Sequence, residues 1–187
     1  MNNDHDVLTG WARIDTWLTA HDRPKPTRPR ADAAGLDAFE AQLGRPLPAG
    51  VRAWWLLPGV SAGHWIPGEF APVSLEEALE THEIWLTIAE EEGPLDDDGR
   101  PETRYRPEFM PIALDPGGDG LIVDLRPGAT HGAVLLWDHE TWVLGAPLWP
   151  SLTSMLLGIA DALEAGAPAL PDRARVGGDT RRPSARG

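Results

Sequence analysis

The sequence contains no cysteine, a single lysine, one tyrosine and three methionines in 187 residues. Without cysteine there is no disulfide framework, no thiolate nucleophile and no thiolate zinc site, a composition that agrees with a reducing compartment. No window approaches the roughly 18 consecutive apolar residues that a membrane-spanning helix needs. The opening MNNDHDV lacks the basic and apolar regions of a signal peptide. These absences predict a cytoplasmic protein with no membrane partner. Arginine outnumbers lysine fifteen to one, a bias that fits a GC-rich genome better than any selected chemistry.

What is present points to a packed globule. Hydrophobic residues make up 42% of the chain and nine are tryptophan, the side chains that bury the most surface per residue. The length suits one core with a tail, and the expected division is a domain over residues 1–166 followed by a disordered basic tail over 167–187. Five arginines in that tail (173, 175, 181, 182 and 186) against Asp172 and Asp179 make it +3, and the net charge of −13 then leaves −16 on residues 1–166. An acidic body of this kind repels nucleic acid and anionic membrane and attracts a basic partner.

Val7, Leu8, Trp11, Ile14 and Leu18 fall at helical spacing, and DRPKPTRPR after them reads as an extended connector. Asp32 can cap a second helix carrying Leu36, Phe39 and Leu43 and ended by Gly44, and a third helix is expected to start at Pro48 and stop at Pro58-Gly59. Ser74 to Glu77 has capping-box form, and Leu75, Ala78, Leu79, His82, Trp85, Leu86 and Ala89 continue it as the most regular helix before the C-terminus. Three apolar runs between Phe109 and Val143, split by a Gly-rich turn and a Pro-Gly turn, read as a β-meander. Ser151 caps a last helix ended by Gly166. Helices, then strands, then a helix predict an α+β fold with an antiparallel-rich sheet backed by amphipathic helices.

Motifs for chemistry fail one by one. His82-Glu83 begins like a zinc-protease helix, but Leu86 stands where the second histidine must be, and His139-Glu140 fails in the same way at Val143. Aligning Gly99 with the invariant glycine of a calcium loop puts Pro94 and Tyr105 at ligand positions. Gly117-Gly118-Asp119-Gly120 leads into a strand and carries an acid that repels phosphate, so it reads as a turn. None of the five serines lies in a nucleophile elbow. The expectation is a protein that is not an enzyme and needs no cofactor or metal.

The order of these pieces resembles the SUKH superfamily, shared by fungal cell-wall-synthesis regulators of the Smi/Knr type and many bacterial toxin-immunity proteins. FEAQLGRPLP matches its acidic, Leu-Gly and Leu-Pro signature through Glu40, Leu43, Gly44, Leu47 and Pro48. Further matches are Phe109 to Ala113 with Pro111, Gly117 to Leu125 with Gly118 and Asp124, Gly132 to His139, and a closing helix after Leu148. The chain departs from the pattern at Pro58-Gly59 and at the acidic loop from Glu90 to Arg106. The resemblance implies a binding role without catalysis: either an immunity protein that neutralises a cognate toxin, or a regulatory or scaffold module with a cellular partner. For the first, a basic toxin domain is the expected partner, with Glu90, Glu91, Glu92, Asp96, Asp97 and Asp98 for electrostatic steering and Trp65 and Trp142 as anchors. Trp149 shares their position at a turn or strand edge.

Overall fold

Each helix begins and ends where local chemistry satisfies its free backbone groups. In this computed structural model, which describes residues 3–23, 26–91, 105–141 and 143–166, the helices are α1 (Asn3–Ala20), α2 (Ala33–Leu43), α3 (Ala49–Leu56), α4 (Leu75–Glu91) and α5 (Leu152–Ala165). The Asp32 carboxylate accepts the Gly35 N–H at 2.6 Å and Gly44 closes α2 in the left-handed conformation at φ 66°. Ser74 and Glu77 cap α4 reciprocally, with backbone-to-side-chain bonds of 2.7 and 3.1 Å. Ser151 caps α5 by accepting from the Ser154 N–H at 3.0 Å. Pro48 sits one residue before α3 rather than inside it, and its carbonyl accepts from the Val51 and Arg52 N–H groups.

The strands are β1 (Ala71–Pro72), β2 (Phe109–Leu114), β3 (Gly120–Asp124), β4 (Val134–Asp138) and β5 (Val143–Leu144), hydrogen-bonded in that order and antiparallel throughout. The predicted meander is β2 to β4, and the α+β class is as expected. The register of β2 against β3 shifts between Pro111 and Ala113, because a proline has no N–H to give the ladder and an irregularity absorbs the loss.

The sheet is covered on both faces. Met110, Ile112, Leu121, Val123 and Val134 join one core with Trp11 and Ile14 of α1, Leu36 of α2, Trp54 and Trp55 of α3, and Met155, Leu156 and Ile159 of α5. Phe109, Ile122, Leu135 and Trp137 form a second core with Trp85 and Ala89 of α4 and with Tyr105. Two-sided burial explains why FMPIAL and GLIVD read as continuous apolar runs instead of alternating. Helices α1 and α5 pack closely enough that a Cβ on Gly10 would lie 3.0 Å from that of Leu156. Leu8 is the exception on the α1 stripe, being 52% exposed.

Trp65, expected as a contact anchor, belongs to the interior, and so does Trp149, which shares its turn position. The Trp65 ring lies 5.5 Å from Trp11 and 6.3 Å from Trp54, and its indole N–H donates to the Ser61 carbonyl at 2.9 Å. Trp149 is equally buried and bridges to Val134 of β4. Turn position misleads here because these turns fold back onto the core. The connector is also less detached than its composition suggests: the Arg28 N–H donates to the Val60 carbonyl and the Ala62 N–H to that of Pro26. The Arg28 guanidinium stacks 4.7 Å above the Trp54 ring and donates to the Trp54 carbonyl, and burial lowers its pKa to about 10.

Gly120 lets α4 approach the sheet closely, since a Cβ there would lie 2.5 Å from the Trp85 ring. Gly120→Ala should therefore push Trp85 off β3 and destabilise the fold by about 1–3 kcal/mol. Urea unfolding measures this, and an unchanged midpoint would refute the contact.

Candidate protein-binding face

Helix α4 has one face fully committed to the fold. Leu75, Ala78, His82, Trp85 and Ala89 point inward and are buried. His82 continues this contact with a polar link. The Tyr105 hydroxyl donates to the Phe109 carbonyl at 2.7 Å, so its oxygen accepts from His82 Nδ1 at 3.0 Å. Burial lowers the His82 pKa and raises that of Tyr105 well above its usual value, so both are neutral near pH 7. The ring of Tyr105 stands edge-on to Trp85, Trp137 and Phe109.

The opposite face carries Glu76, Glu77, Glu80, Glu83, Ile84, Thr87, Ile88, Glu90 and Glu91, all exposed, and the helix contains no lysine or arginine. Like charges three and four residues apart (Glu76 with Glu80, Glu80 with Glu83) repel by about 0.2–0.5 kcal/mol per pair. Glu90 and Glu91 stand in the last turn, where the helix dipole disfavours an anion by roughly 0.3–1 kcal/mol. Ion pairs occur elsewhere: Arg13 with Asp161 and Glu164, Arg52 with Asp37 and Glu40, and Arg126 with Asp124. Glu80, Glu83, Glu90 and Glu91 form none among the described residues. The two isoleucines on this face, Ile84 and Ile88, are 51% and 36% exposed.

Of the steering residues expected from sequence, the structure places Glu90 and Glu91 at the exposed end of α4. Glu92, Asp96, Asp97, Asp98 and Trp142 lie outside the described residues, as does the basic tail. Trp65 is in the core and leaves the candidate set. Glu76, Glu80, Glu83, Ile84 and Ile88 were missed, although one signal was present: the apolar repeat of α4 skips positions 84 and 88, so isoleucines there must face outward.

The signature residues stabilise turns. Glu40 accepts the Leu47 N–H at 2.8 Å and Arg52 Nη1 at 2.7 Å, tying α2 to α3 across the turn that Gly44 opens and Pro48 closes; Leu43 packs partly buried on the larger core. Asp124 is fully buried, with Arg126 and Thr130 donating to it at 2.8 and 2.7 Å. Burial alone would raise its pKa, but these hydrogen bonds hold it below the usual carboxylate range. Gly118, at φ 104°, leaves room for the His139 ring, whose Nδ1 donates to Asp119 at 2.8 Å. That bond raises the His139 pKa.

A model of the SMI1 / KNR4 family (SUKH-1) matches residues 30–158. The chain belongs to this family. The matched span runs from the end of the connector to within α5, so it takes in the whole sheet, both turns held by Glu40 and Asp124, and all of α4. Helix α1 lies before the span yet packs into the same core as the SUKH elements. No curated protein matches the chain. Among the described residues of this SUKH domain, no helix is long and apolar enough to cross a membrane.

His82 gives the domain a pH dependence of definite sign. Its native pKa lies below its unfolded one, so in the interval just below about pH 6.5 the unfolded chain holds the extra proton and stability falls as pH falls. His139, with a raised pKa, has the opposite sign, and the two are separated by difference. His82→Gln should flatten the fall in urea midpoint just below about pH 6.5. An identical slope in the variant would remove His82 as its source.

Proposed function

We propose that this SUKH domain is a non-catalytic immunity protein that binds a cognate bacterial toxin in the cytoplasm and neutralises it. The observation that carries the reading is the carboxylate face of α4, whose Glu80, Glu83, Glu90 and Glu91 form no ion pair among the described residues. Repulsion along a helix is a standing cost to the fold, and a basic partner relieves it on binding. A toxin that cleaves nucleic acid needs a basic cleft for phosphates, and a row of fixed carboxylates competes for that cleft directly. The −13 net charge extends the attraction beyond contact distance and disfavours nucleic acid and anionic membrane as ligands. Charge of this kind mainly sets the speed and choice of encounter, while buried apolar contacts set the residence time.

Two measurements test the reading. Deleting the toxin gene should make this gene dispensable, whereas loss of viability on its removal from the toxin-free strain would favour a regulatory module. Replacing Glu80, Glu83, Glu90 and Glu91 together by glutamine should slow association with the toxin by about tenfold at low ionic strength and flatten its salt dependence. Stopped-flow association rates decide it, an unaltered rate counting against steering by this helix.

A further inference from the structure

We propose that Ile84 and Ile88 are the anchors of an interface on the outer face of α4, and that its occupant is a basic amphipathic helix of a protein partner. The proposal rests on the acidic-face reading above and specifies where and how the contact is made. The two side chains are one turn apart and so form a single apolar ridge, with about 5–6 Å between their Cβ atoms. The fold does not use them, because α4 is held to the sheet through Trp85, Ala89 and His82 on its other side. Local helix propensity does not ask for them either, since isoleucine is a weaker helix former than alanine, glutamate or leucine. Single exposed apolar residues are ordinary. A contiguous pair set between carboxylates is the pattern of a contact centre with a polar rim.

The surroundings decide the chemistry of the occupant. Glu80 and Glu91 extend the ridge at its two ends and Glu83 and Thr87 lie along one side of it, all exposed, with the half-buried Thr81 on the other side. From Glu76 to Glu91 the carboxylates are strung along about 22 Å of helix. A point cation would need them gathered at one place. A second copy of this face would bring like charges together. A basic helix, with an apolar row to meet Ile84 and Ile88 and lysines or arginines at the ends of that row and along one side of it, matches the face in length, charge and polarity.

The test uses the full chain, ¹⁵N-labelled, titrated with a leucine/lysine amphipathic helical peptide of about 18 residues, long enough to span the face, and with a leucine/glutamate peptide of the same pattern. The basic peptide should shift amides clustered between Glu80 and Glu91, less so as salt is raised. Ile84→Ser combined with Ile88→Ser should weaken binding about tenfold or more while leaving helix content by circular dichroism and the salt slope unchanged. Unchanged affinity in that double variant, or shifts clustered elsewhere, overturns the anchors but leaves the acidic-face reading standing. Equal binding of both peptides overturns that reading as well. Two further results would name another occupant and so overturn the proposal. One is a shift of the α4 amides when the five tail arginines alone become glutamine. The other is concentration-dependent self-association abolished by the isoleucine double variant.

Discussion

Strands β2 and β3 carry apolar side chains on both faces, so neither face can be left to water. Helices α1, α2, α3 and α5, joined by Leu75 and Ala78 from the start of α4, supply the larger core, and among the described helices α4 lies over the aromatic cluster of Phe109, Trp137 and Tyr105. The contact of Trp85 with the bare backbone of Gly120 sets how closely α4 can approach. Everything else about the helix follows from that seat. Its inner stripe is fixed by the sheet, its rotation is fixed by the stripe, and the carboxylates and isoleucines left over are held outward in one orientation. The backbone that carries this face is already ordered, so a contact there would cost the freedom of its side chains and not that of the helix.

Electrostatics divide the domain into two regimes. Where an acidic residue serves the fold, a cation or backbone N–H meets it, as Glu40 meets Leu47 and Arg52 and as Asp124 meets Arg126 and Thr130. On α4, among the described residues, only Glu77 is engaged in this way, through the capping box. Residues selected only for solubility would tolerate interspersed lysine or arginine. Their absence from a seventeen-residue helix is a property of the surface, independent of the interior.

Much of the architecture was legible in the sequence because it is written in local chemistry. Asp32, Ser74 and Ser151 mark helix starts, Gly44 and Gly166 mark helix ends, and the runs after Phe109 mark the meander. The two-residue strands β1 and β5 were not legible, since Ala71-Pro72 and Val143-Leu144 are too short to show a period and are strands only by virtue of their neighbours. Burial on both faces of the sheet also depends on where distant helices pack, which no window reports. The same limit explains Trp65: its position in a turn is local, while its burial against Trp11 and Trp54 is tertiary. For the candidate face, the acids at the end of α4 were visible as charge, but the isoleucines gained meaning only once the inward stripe was seated.

The sheet's margins carry a consequence for how this domain can meet other proteins. Beyond β1 and β5 each border is two residues long, and β1 ends in Pro72, which has no N–H. Along the outward side of β2 the Phe109 carbonyl already takes the Tyr105 hydroxyl and the Ile112 carbonyl takes the Val73 N–H. The far side of β4 is met by Gly145, Leu148 and Trp149. Among the described residues an incoming peptide therefore finds little free main chain to zip onto, and these borders disfavour extending the sheet with an added strand. Side chains, in their shape and charge, are what this part of the surface offers to a neighbour, and its backbone is already spoken for.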